Sequence, residues 1–106
     1  MIKEYHRLVR NKEPQELARM GAKVRYSKLD NGLYEMELLN NLEGLLTKLK
    51  NSSESIGDYV DAMELLKSIA EARGIERSII DNEFDRKNEI LGGYSQKNYV
   101  IDIDTL

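Results

Sequence analysis

The chain contains no cysteine and no tryptophan, and only one proline, one histidine and one phenylalanine. Without cysteine there is no disulfide framework, thiolate nucleophile or zinc–thiolate cluster. A reducing compartment, the cytoplasm, is the expected location. A single histidine, His6, excludes a catalytic His pair and a histidine-built zinc site, and it is expected at the surface rather than as a base. No apolar run is long enough for a transmembrane span or the core of a signal peptide, so no membrane partner is expected. Phosphate-cradling loops of the GxxxxGK[ST] or GxGxxG type are also missing.

What is present is a chain of 106 residues, 33% charged and 41% apolar, with a formal net charge of -3. That length suits a single domain over residues 1–106 with a modest core. The charge is unevenly spread. Residues 1–28 hold eight bases and three acids, a net of +5, while the remaining 78 residues hold eight bases and sixteen acids, a net of -8. A basic arm on an acidic body suits a protein that meets an anion; the alternative is that the two parts neutralise each other on folding.

Local signals predict an all-α helical bundle with a possible small two-stranded β ribbon. Pro14 marks a helix start and Gly21 a stop. Asp30-Asn31-Gly32 forms a turn with a possible cap. Leu38, Leu39, Leu42, Leu45, Leu46 and Leu49 then recur at helical spacing on one face, interrupted by Gly44. Asn51-Ser52-Ser53 reads as the next break and cap. Ile56, Tyr59, Val60, Met63, Leu66, Ile69 and Ala70 form a second stripe ending near Gly74. A last helix is predicted from about Ile75 to Glu89, with Ile79, Ile80 and Phe84 inward and Gly92-Gly93 closing it. Val24 and Tyr26 suggest a short extended piece, and the alternating tail Tyr99 to Asp104 reads as a strand to pair with residues 24–28. Two broad apolar stripes exceed what so short a chain can cover alone, so a homodimer or homotetramer is expected.

Two clusters carry candidate chemistry. Arg7, Arg10 and Lys12 lie just before the helix at Pro14 and suit a phosphate; the alternative is a solvated basic loop. Asp58 and Asp61 share a helix face one turn beyond Glu54, which suits a hard cation or an ordinary solvated acidic face. Nucleic-acid binding through the basic arm has no supporting fold signature and is not expected.

These residues resemble a known family in four segments that match in order and spacing over nearly the whole chain. Tyr5-His6-Arg7-Leu8-Val9-Arg10-Asn11-Lys12-Glu13-Pro14 is similar to the opening YNKLVRDKIP of small MazG-like proteins, the phosphoribosyl-ATP pyrophosphohydrolase-like group of all-α nucleoside-triphosphate pyrophosphohydrolases. Leu38 to Leu46 resembles the LxEExxELL helix, Glu54 to Asp61 resembles EELADVLE, and Lys87 to Tyr94 resembles KxEERGGF. The resemblance implies a helical bundle, a dimer or tetramer, and a Mg²⁺ site built from EExxE and ExxD carboxylates.

At those positions this chain departs from the family. The three EExxE positions are Asn40, Asn41 and Gly44; the Glu of ExxD is Ser55, leaving Asp58, with Asp61 following. The Arg of RGGF is Leu91, and the Asp of VRDK is Asn11. Mg²⁺ relies on anionic oxygen ligands, and a neutral amide or a glycine is a poor replacement. No metal and no catalytic residue is therefore expected. Loss of the acids also removes repulsion toward a bare polyphosphate, and Asn amides add donors. The expectation is a metal-independent, non-catalytic nucleotide binder that captures an anionic nucleotide or nucleotide-derived signal, as a viral counter-defence sponge would. Arg7, Arg10, Asn11, Lys12, Asn40, Asn41, Asp58, Asp61, Lys87 and Lys97 are the candidate ligand-binding residues, with Tyr94 stacking on a base. Two alternatives stand beside it: a Mg²⁺-dependent pyrophosphohydrolase using Glu37, Glu43, Asp58 and Asp61 as replacement ligands, and a protein-binding scaffold or inhibitor.

Overall fold

The computed structural model describes residues 2–105. Among them are the helices α1 (Glu13–Arg19), α2 (Asn31–Lys50), α3 (Ile56–Ala72) and α4 (Arg77–Leu91), and no strand, so the fold is all-α. The chain divides into two compact units, Met1–Ile75 and Glu76–Leu106.

In the first unit, α1 begins with Pro14 in its first turn, where a missing N–H costs nothing, and Pro14 is buried. Gly21, at φ +98°, carries the chain away from it. Helix α2 starts where Asp30 offers its carboxylate to the Leu33 N–H at 2.9 Å. Lys48 and Lys50 lie in its last turn, opposite the partial negative charge of the helix end. Asn51 caps α2 and Ser52 turns the chain at φ 54°. Residues 51–53 thus make the break expected of them, but they do not cap α3. Ser55 does, because Asp58 three residues on reaches back to the Ser55 N–H at 2.9 Å, the reciprocal half of a capping box.

The short link folds α3 back antiparallel on α2. Lys48 near the end of α2 meets Asp58 near the start of α3 at 3.5 Å, and Arg73 just past α3 pairs with Glu35 near the start of α2. Between these ends lies the core. Leu38 and Ile69 are the buried hydrophobic residues, at 3% and 8% exposure, flanked by half-buried Leu42, Leu45, Leu49 and Leu65. The leucine stripe of α2 is therefore split. Leu39 and Leu46 face outward with Met36, because a single helix facing α2 covers a narrower arc than the stripe occupies. On α3 the outward set is Ile56, Tyr59, Val60, Met63 and Leu66.

The second unit contains α4 and the tail. Helix α4 runs two residues beyond its predicted end before Gly92, at φ +77°, closes it. Ile79 and Phe84, predicted inward, are exposed, as is Ile90, and Ile80 is half-buried. The reason is topological: this unit holds no second helix to cover an apolar face. The predicted ribbon is also missing, since neither residues 24–28 nor residues 99–104 are in a strand. A lone two-stranded ribbon is marginal in water without a layer to pack on.

Candidate functional site

The basic arm reaches the α2–α3 hairpin at two points. Leu8 and Val9 are half-buried, between exposed Arg7 and Arg10. The Asn41 side-chain amide on α2 donates to the Leu8 carbonyl at 3.2 Å. Beyond it, the Arg10 guanidinium donates to the Asp61 carboxylate on α3 at 2.6 Å. Both partners of that ion pair are about half exposed, 48% and 50%, which leaves Arg10 open to a competing anion from solvent. The arm at Leu8 and Arg10 is thus tied to Asn41 on α2 and to Asp61 on α3.

The remaining candidates are placed differently. Arg7 lies over the Tyr5 ring, 5.1 Å from its centroid, a cation–π contact within the arm. Asn11 sits in the turn ahead of α1, and Lys12 is the residue at its cap, making no side-chain bond there. Main-chain bonds already use the Glu13 and Glu16 N–H groups, on Arg10 and Lys12 carbonyls, and Pro14 has none, so α1 has few amides to offer an anion. Asn40 is exposed on α2 beside Asn41. Lys87, Tyr94 and Lys97 belong to the second unit, where Tyr94 is 98% exposed. Residues 91–98 line a hollow of about 190 Å³ in that unit, smaller than the ~300–1,000 Å³ of drug-sized ligand pockets.

The two aspartates are both committed. The Ser55 main-chain N–H holds the Asp58 carboxyl below the usual carboxylate range, outweighing the opposing effect of burial, and the nearby Lys48 ammonium lowers it further. Asp58 thus starts α3 and ties it to the end of α2. Asp61 is held by Arg10. Among the described residues, no group of three His, Cys, Asp or Glu side chains converges on a position that would hold a metal ion.

Sequence reasoning missed two partners. Lys48 was not singled out, although a basic last turn on α2 and an acidic first turn on α3, joined by a short link, already juxtapose them. The second is the Glu54–Tyr59 pair. The Tyr59 hydroxyl donates to Glu54 at 3.0 Å, and the Glu54 carboxylate holds the phenol above its ordinary pKa. The other Glu54 oxygen, Oε2, is enclosed without a hydrogen-bond partner. A spacing of five residues across a cap gives no periodic signal. Compared with known proteins, the chain matches no family model, no curated protein and no solved structure.

Proposed function

We propose that the chain is a metal-independent, non-catalytic nucleotide-binding protein of MazG-like type, which takes an anionic nucleotide or nucleotide-derived signal at the meeting of arm and hairpin. The observation that carries this reading is the Arg10–Asp61–Asn41 cluster. At a position where the resembled family has a metal-binding carboxylate, Asn41 instead donates to the main chain of the basic arm. That bond holds Arg10 beside α3, half exposed and with a single carboxylate to displace. A single guanidinium nitrogen of Arg10 meets a single Asp61 oxygen, and a phosphate replacing Asp61 would engage the guanidinium through two parallel bonds and with more charge. Arg7 and Lys12 flank that point in sequence, and Asn40 adds a nearby amide. Lys87, Tyr94 and Lys97 lie in the second unit and form no part of this cluster.

Self-association belongs to it too. The outward residues Leu33, Met36, Leu39 and Leu46 of α2 and Ile56, Tyr59, Val60, Met63 and Leu66 of α3 stay 41–84% exposed, and uncovered apolar side chains on neighbouring helices suit an interaction face. A homodimer or homotetramer would cover it. No helix among the described residues is long and apolar enough to cross a membrane, and a cysteine-free nucleotide binder suits the cytoplasm.

Titration calorimetry in EDTA against a panel of nucleoside triphosphates, cyclic nucleotides and ADP-ribose species tests the reading. Binding of one class in EDTA, weakened at least tenfold by Arg10→Ala, is expected. Silence across the panel with and without Mg²⁺ removes the nucleotide from the proposal, and Mg²⁺-dependent pyrophosphate release would replace it with an enzyme. The replacement-ligand enzyme is disfavoured by the engagement of Asp58 and Asp61 with Lys48 and Arg10.

A further inference from the structure

We propose that two copies of this chain exchange strands, the tail segment 99–104 of one copy pairing antiparallel with segment 23–28 of the other. The inference rests on the self-association part of the proposed function and is independent of nucleotide binding. Both segments alternate at period two, and within the described chain neither is helical nor joins a ladder. The tail leaves Tyr99, Val100, Ile101 and Ile103 at 69–90% exposure, and Tyr26 is 63% exposed. Unpaired strand-like backbone with apolar side chains is a template for another chain.

Charge complementarity selects the tail as the segment that pairs with 23–28. Segment 23–28 places Lys23 and Arg25 on one face and Val24, Tyr26 and Lys28 on the other; the tail places Asp102 and Asp104 on one face and Tyr99, Ile101 and Ile103 on the other. One antiparallel register gives two opposite-charge pairs on one face and two apolar pairs on the other. It sets Lys23 opposite Asp104 and Arg25 opposite Asp102, while Val24 meets Ile103, Tyr26 meets Ile101 and Lys28 meets Tyr99. A slip of one residue puts Lys23 and Arg25 opposite Ile103 and Ile101 and Val24 opposite Asp102, so both charge pairs are lost. A parallel pairing that keeps both bases on the aspartates leaves Tyr26 opposite Thr105. Directly opposed side chains of opposite charge, or both apolar, are the unit of sheet stabilisation. Reciprocal exchange between two copies forms two such ribbons about a twofold axis, a self-complementary arrangement in which the apolar face of each ribbon has the other's to pack on, the layer that a lone ribbon lacks. The uncovered apolar faces of α2 and α3 supply an independent reason for a second copy to be present.

The cysteine-free sequence makes the pairing directly readable. In the double variant Val24→Cys with Ile103→Cys, mild oxidation should give a reductant-sensitive covalent dimer on a denaturing gel. The control pair Val24→Cys with Asp102→Cys, on opposite faces in this register, should link at least tenfold more slowly. A cross-linked monomer would show the segments pairing within one chain and overturns the proposal. Dimers by sedimentation without any cross-link overturn strand exchange alone, whereas a monomer at all concentrations removes self-association as well. A second experiment uses charge. Lys23→Glu with Arg25→Glu in one variant, and Asp102→Lys with Asp104→Lys in another, should each weaken self-association at least tenfold while keeping the helical circular-dichroism signal. Mixing the two should restore association as a heterodimer. Either variant associating alone as tightly as the parent overturns the register.

Discussion

Replacing Gly44 with Ala tests whether the face of α2 on which it lies is open. Gly44 sits mid-helix, exposed, with no atom within 4 Å of where a Cβ would be built. An added methyl therefore meets nothing, and only the backbone term remains. Glycine in a helix interior is less favourable than alanine by about 1 kcal/mol, partly because the unfolded chain has more freedom to lose. For a domain of this size that gain corresponds to a rise in Tm of roughly 4–8 °C. In urea, with a slope of ~1–3 kcal/mol/M, the midpoint should move up by about 0.3–1 M. Thermal and urea unfolding of both proteins, followed by helical circular dichroism at several protein concentrations, checks it. A lowered midpoint would refute the reasoning, because the methyl would then be striking something. If the loss grows with protein concentration, that something is a second copy packed against Gly44, and the glycine is there for close approach rather than by neglect.

Three further outcomes follow from the same fold. Leu38→Ala removes the more deeply buried of the two core side chains and should cost about 2–5 kcal/mol, read as a lowered urea midpoint; a loss under half that figure would place the core elsewhere. The Asp58 carboxyl is held below its ordinary value of 3.8. Its stabilising effect is therefore fully present above 3.8 and is lost as pH falls through the lower folded-state value. Unfolding midpoints measured well above and well below 3.8 should fall further for the parent than for Asp58→Asn, and parallel pH profiles would contradict the cap. Finally, Asn40→Glu with Asn41→Glu and Gly44→Glu should weaken anion binding in EDTA and raise Mg²⁺ affinity by calorimetry; tighter nucleotide binding in EDTA would count against the pocket.

Helix ends were largely legible because capping is local chemistry. Pro14 and Gly21 bound α1 and Asp30 starts α2 through side-chain and backbone properties that need no tertiary context. The start of α3 was placed too early because Asn51, Ser52 and Ser53 are also good caps. What decides between them is the reciprocal reach of Asp58 to Ser55. Periodicity identified the leucines that share a face but not which of them find a neighbour, so Leu39, Ile79 and Phe84 were expected inside and lie outside. The site divides in the same way. Basic and amide residues stand out by type, but the Arg10–Asp61 bond joins residues 51 apart in sequence, and no local rule measures that separation.

The bond between Arg10 and Asp61 has a kinetic consequence. A half-exposed ion pair contributes at most about 1 kcal/mol, which is less than twice the thermal energy. With the arm also tied by Asn41, the Arg10 side chain is held to Asp61 by a catch that opens and shuts on the nanosecond-to-microsecond scale of loop motion. Ionic strength sets how long it stays shut, because salt screens exposed charges beyond about one Debye length. Arg10 is thereby offered to solvent for a fraction of the time that the medium dictates, and an anion arriving in that interval meets a guanidinium already turned toward the hairpin.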